Sequence, residues 1–144
     1  MVLGACVVEG IIDREAPLDL LRPTPLTIGS LVLIALGATI RIWALGTIQK
    51  NRVLAMTGVY SLCRHPLYVG STLLYLGFVL LMNDAEFLYL GLPYIVLFFG
   101  AAAFSEEHFL QTKFGAEFES YRHMVPGFVP LGRWQPGGFR SPAR

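Results

Sequence analysis

At 144 residues the chain has the size of about one domain; 54% of it is hydrophobic and 15% is charged, against roughly 25% charged in a soluble domain, so lipid is the expected solvent for much of its surface. A net charge of +1 carried on scattered arginines excludes a phosphate-tracking nucleic-acid surface, which needs a clustered basic excess. The two cysteines, Cys6 and Cys63, have neither framework nor Cys-x-x-Cys spacing, which excludes a disulfide scaffold and a thiolate zinc site and leaves Cys63 as a packing residue.

Residues 1–23 start mildly apolar without a basic flank and then turn charged at Asp13, Arg14, Glu15 and Asp19. They read as an interfacial lead-in, or a truncated first helix, rather than a cleaved signal peptide. Leu26 to Gly46 is apolar over roughly 20 residues, the length that crosses a hydrocarbon core. Its one charge, Arg41, lies near the end ahead of Trp43 and is expected to snorkel toward the headgroups. Gly29, Gly37 and Ala38 leave small surfaces for a second helix.

The loop that follows carries Lys50, Arg52 and Arg64 without an acid, which the positive-inside tendency assigns to the cytoplasm. It ends in Gly58-Val-Tyr-Ser-Leu-Cys-Arg-His-Pro-Leu-Tyr-Val-Gly70. Polar and ionised groups packed against a membrane helix are costly unless partnered, so this loop is the expected seat of the chemistry. Pro66 suits the first position of the next span, where its missing N–H is no loss.

That second span runs from Pro66 to Met82 and a third from Phe87 to Phe104, joined only by Asn83-Asp84-Ala85-Glu86, so they form an antiparallel helical hairpin. Pro93 predicts a kink near Gly91. From Ser105 an amphipathic helix is expected, capped by Ser105, because Leu110, Phe114, Phe118, Tyr121 and Val125 recur at steps of four, four, three and four. At about 100° per residue, Glu107 lies about 20° from the centre of that stripe and Glu106 about 80° away, so at least one carboxylate faces the interior. The acids also suit a helix N-terminus. His108 and His123 fall off the stripe and face solvent; with His65 they make no metal box. Gly132 to Arg144 has the Gly, Pro and Arg content of a flexible tail.

These readings give an all-α, polytopic membrane protein. It has about three transmembrane helices, two of them a short hairpin, and a cytoplasmic amphipathic C-terminal helix. Its divisions are 1–23, a membrane domain at 24–131, and a tail at 132–144.

The combination Thr57-Gly58-Val-Tyr60, Arg64-His65-Pro66-Leu-Tyr68-Val-Gly70, Glu106-Glu107, Phe114-Gly115-Ala-Glu-Phe118, Tyr121 and Val125-Pro126 to Pro130 resembles the isoprenylcysteine carboxyl methyltransferase family and its phospholipid methyltransferase relatives. The resemblance covers roughly residues 30 to 131. It implies an integral membrane enzyme of an inner membrane or endomembrane, its site facing the cytoplasm. Such an enzyme moves a methyl group from S-adenosyl-L-methionine to a lipophilic or lipidated acceptor among membrane lipids. Carried over by position, Tyr60, His65, Leu67, Tyr68 and Glu106 become cofactor contacts, with Arg52, Val53, Leu54 and Ala55 along the pocket edge and Gly70 allowing close approach. No metal is implied. Eukaryotic carboxyl methyltransferases of this family carry an arginine four residues before the first glutamate, where this chain has Ala102.

Arg64 is then the nearest cation for an acceptor carboxylate such as an isoprenylcysteine-like group, whereas an amine or phospholipid acceptor would need His65 or Glu107 as base. Two other readings stay open. One is an NADPH-dependent membrane reductase, in which a similar loop usually has Asn and an acid where this chain has Leu67 and Ser71; the other is a non-enzymatic membrane interaction protein.

Overall fold

The computed structural model describes residues 24–48 and 54–135. The expected lead-in at 1–23, the pocket-edge residues Arg52 and Val53, and the end of the tail at 136–144 lie outside these residues. Helix α1 spans Pro25–Thr47. It starts where Thr24 accepts a hydrogen bond from the Thr27 amide at 3.2 Å, with Pro25 in the first turn. A single turn, α2, spans Val59–Leu62, and α3 spans Pro66–Met82. Asn83, in the left-handed conformation at φ 51°, closes α3. Asp84 then opens the next helix by accepting from the Glu86 amide at 3.0 Å. The described residues contain helices and no strand.

Helix α1 lies along α3 through small residues. A Cβ on Gly37 would come within 2.7 Å of the Gly70 carbonyl, and one on Gly77 within 2.9 Å of the Ser30 carbonyl. Such contacts let two backbones approach closely where apolar burial gives no advantage over lipid. Gly37 is used as its sequence environment predicts, but Gly29 faces open space. The Arg41 guanidinium donates to the Ser71 hydroxyl on α3, a partner the sequence did not single out. In an apolar span a partnered cation is cheaper than a bare one.

After the hairpin the chain makes a π-helical turn at Phe87–Gly91 and continues as α4, Leu92–Phe114. The irregularity expected from Pro93 is thus this widened turn, just ahead of a residue that cannot donate to the carbonyl four back. The Tyr75 hydroxyl donates to the Phe87 carbonyl, and a side chain at Gly91 would collide with that tyrosine.

Helix α4 corrects the expected break at Ser105. Ser105 sits inside one continuous helix and caps nothing, because the residues from Glu106 to Phe114 include no helix breaker. The break comes at Gly115, whose φ of 52° favours glycine, and α5 follows at Ala116–Met124. The stripe survives this break: Phe118, Tyr121 and Val125 form a buried cluster with Leu54, and Leu110, Phe114 and Met56 pack against it.

The spans Pro25–Thr47 and Phe87–Phe114 are long and apolar enough to cross a membrane, and Pro66–Met82 is a shorter apolar helix. Leu90, Leu97 and Phe104 each expose about three quarters of their surface. Side chains of this kind, so exposed along whole helices, suit a lipid surround.

Candidate functional site

The loop at Gly58–His65 is held by the C-terminal segment through backbone groups. The Arg64 amide donates to the Pro126 carbonyl at 2.9 Å, the His65 amide to Gly127 at 3.0 Å, and the Gly132 amide returns to Leu62 at 2.9 Å. The Gly58 amide donates to Gln135, whose own amide donates to the Ser61 hydroxyl. The opening residues of the expected flexible tail, Gly132 to Gln135, are therefore tied down rather than frayed. From α5, the Tyr121 hydroxyl donates to the Tyr60 carbonyl at 2.6 Å.

These bonds place His65 at the start of α3 with its ring facing α4. His65 occupies the N-cap position but makes no cap hydrogen bond, because its ring is engaged elsewhere. Nε2 lies 2.8 Å from Glu107 Oε1, and Nδ1 lies 3.8 Å from Glu106 Oε2. Tyr68, one turn into α3, donates to Glu106 at 3.2 Å. Arg64 Nη1 stands 3.2 Å from Glu107 Oε1. It is off the hydrogen-bond line, so Arg64 Nε and Nη1 are buried with no hydrogen-bond acceptor among the described residues. Of the two carboxylates Glu107 is the deeper, 17% exposed against 44% for Glu106, in keeping with its position near the centre of the stripe.

A cleft of about 440 Å³ opens beside this cluster. Arg64 and Glu107 stand at one end, Gly100, Ala103 and Phe104 of α4 line one wall, and Pro126 to Val129 line the other. The His65 ring is flanked by Tyr68 and Phe128 at centroid distances of 5.8 and 5.2 Å, and Tyr68 stacks on Phe99 at 5.2 Å.

The structure thus brings Arg64, His65, Tyr68, Glu106 and Glu107 into contact. Other site candidates occupy packing positions. Leu54 is in the Phe118 cluster, while Tyr60 is buried with Ala44 and Val59, with Ala55 and Leu67 against them. Gly70 faces α1, where a Cβ would meet the Arg41 side chain at 2.8 Å. Its glycine is explained by that helix crossing. Burial, then the Glu106 charge, pushes the Tyr60 hydroxyl well above its ordinary value. Burial also pushes the Cys63 thiol up to about 11, partly offset by the His65 amide. Both therefore stay protonated near neutrality, as packing groups do.

Sequence reasoning missed the α4 wall of the cleft and Arg122, whose Nε is 3.8 Å from Glu107 Oε2. Arg122 follows Tyr121 directly, so it sits at the edge of the apolar stripe, a signal that could have flagged it. His123 is exposed and pairs with Glu119, and His108 is exposed. Among the described residues no group of histidine, cysteine or acids could hold a metal ion.

Residues 26–117 match the phospholipid methyltransferase family. The chain belongs to that family. Among its curated relatives is the cobalt-zinc-cadmium resistance protein CzcN of Cupriavidus metallidurans, 34% identical over 75% of this chain and 50% of its own length. The protein-S-isoprenylcysteine O-methyltransferase of Schizosaccharomyces pombe is 34% identical over 58% of this chain and 35% of its own. The nickel-cobalt-cadmium resistance protein NccN of Alcaligenes xylosoxydans xylosoxydans is 32% identical over 73% and 49%. The chain spans about half or less of the length of these relatives. No solved structure matches. The family match takes in α1, the Arg64–His65 loop, α3, α4 and the Glu106–Glu107 pair.

Proposed function

We propose that the protein is a membrane methyltransferase that uses S-adenosylmethionine and acts on a lipophilic or lipidated acceptor. The observation that carries this reading is the juncture of the loop and α4: Arg64, His65 and Tyr68 meet Glu106 and Glu107 beside an open cleft with an apolar wall. The donor set fits the cofactor's charges. Buried Arg64 nitrogens without acceptors suit a carboxylate, and two adjacent carboxylates suit an ammonium, a sulfonium or ribose hydroxyls. Bound there, the cofactor would supply an electrophilic methyl group whose transfer needs alignment and exclusion of water more than a covalent nucleophile.

The chain's own residues divide the remaining work. Glu106, fixed by Tyr68 and His65, holds a cationic group; Glu107 keeps Arg64 and His65 facing the cleft. For a carboxylate acceptor Arg64 provides the orienting cation. For an amine acceptor His65 or Glu107 takes the proton. Family membership favours methyl transfer over the nicotinamide-dependent reductase reading, and a docking-only role leaves the paired loop and glutamates without a use. The basic residues Lys50 and Arg52 favour a cytoplasmic site.

Calorimetry in detergent tests the cofactor. We expect S-adenosylmethionine to bind, and His65→Ala and Glu106→Ala each to weaken it by about tenfold or more, as loss of a charge-assisted bond does. Unchanged binding in both variants overturns the reading. Membrane lipids incubated with methyl-labelled cofactor should acquire label. A rate that holds as pH falls from about 8 to about 6 identifies a carboxylate acceptor, and a rate that falls identifies an amine.

A further inference from the structure

One run of contacts crosses the site from the outside of α5 to α3: Arg122 to Glu107, Glu107 to His65, His65 to Glu106, and Glu106 to Tyr68. At its outer end 47% of the Arg122 side chain is open to solvent, whereas the Glu107 carboxylate that it meets is 17% exposed. We infer that Arg122 is a positioning residue that fixes the Glu107 carboxylate by holding Oε2, so that Oε1 is presented to both His65 and Arg64. In its activity readout this rests on the proposed methyl transfer.

The geometry explains why such a hold is needed. Glu107 Oε1 already serves His65 at 2.8 Å and Arg64 at 3.2 Å. Arg64 still has two buried nitrogens with no hydrogen-bond acceptor. A guanidinium fork takes both oxygens of a carboxylate when they are free to turn. Released from Arg122, Glu107 would rotate toward that fork, occupy the Arg64 donors that face the cleft, and draw Oε1 away from His65. Arg122 prevents this from the far side, at 3.8 Å and without a hydrogen bond. Its action is therefore chiefly electrostatic and, at a half-exposed site, weakened by salt. The contacts of Glu107 with His65 and Arg64 are more deeply buried and resist salt.

The test uses Arg122→Gln and Arg122→Lys in the full chain. In histidine-labelled protein in detergent, the His65 ring resonances, assigned with His65→Ala, should move in Arg122→Gln and return toward their original positions in Arg122→Lys. The KM for S-adenosylmethionine should rise about three- to fivefold in Arg122→Gln with kcat little changed, the size expected of a half-exposed ion pair. Raising salt from about 0.05 M to about 0.5 M should bring the wild-type KM toward that of Arg122→Gln while leaving the variant's own KM nearly constant. Ring resonances that do not move in Arg122→Gln overturn the inference, as does a KM with the same salt dependence in both proteins. If the wild type methylates no lipid, the proposed function fails, and the ring resonances alone then decide the positioning role.

Discussion

Glu107 on α4 accepts from His65 at 2.8 Å across 42 positions of sequence. The same oxygen faces the Arg64 guanidinium, so one carboxylate orders both Arg64 and His65. Glu107→Gln keeps the shape and removes the charge, and cofactor affinity should fall by about tenfold to a hundredfold, measured by calorimetry. Glu107→Ala should lower stability by about 3 kcal/mol in detergent unfolding, since it leaves Arg64, whose Nε and Nη1 are buried, without its counter-charge.

Two glycines on α1 should respond in opposite directions. Gly37→Ala places a methyl group against the α3 backbone, 2.7 Å from the Gly70 carbonyl, and should cost about 1–3 kcal/mol. Gly29 has open space around it, so Gly29→Ala should be neutral or stabilising by up to about 1 kcal/mol. Thermal unfolding of the two variants side by side gives the comparison.

Tyr121→Phe removes the buried 2.6 Å bond to the Tyr60 carbonyl with little change in volume. A loss of about 1–3 kcal/mol is expected, because the carbonyl is left dry and unpaired. The loop should loosen with it, visible as faster amide exchange at Ser61 and Cys63.

The Cys63 thiol gives a pH signature. Its folded value of about 11 lies above the ordinary value of 9.0, so the folded state holds the thiol proton more tightly than the unfolded chain. The associated stabilisation is complete below pH 9 and is lost as pH rises toward 11. The stability advantage of the wild type over Cys63→Ala should shrink across that window by up to about 2–3 kcal/mol. A difference that stays flat from pH 8 to 11 would rule the effect out.

The helices were legible because apolar length acts locally: the span from Leu26, the Pro66 start and the short linker opening at Asn83 mark ends close to those of the structure. The Leu110 to Val125 stripe also held, because its spacing records the shared surface whether or not the helix is continuous. Ser105 misled, since a serine before two acids looks like a cap while the helix already running through it supplies the same hydrogen bonds. At the site, the residues with charge or a ring that points inward, Arg64, His65, Tyr68 and the glutamates, were readable. The α4 wall of the cleft was not. Gly100 and Ala103 carry no chemical label, and only the tertiary path of the chain sets them, with the Pro126–Val129 segment of the motif, against Arg64. Gly70 shows the reverse ambiguity, since a glycine that admits a ligand and one that admits a helix look alike in a sequence.

The loop's amides are anchored to carbonyl oxygens of Pro126 and Gly127, and a carbonyl survives every side-chain exchange. Pro126→Ala should therefore leave the anchor in place, while deleting or inserting a single residue between Tyr121 and Pro126 would slide the whole ladder by one rung and dismantle the pocket. Spacing, more than identity, is what heredity has to preserve there.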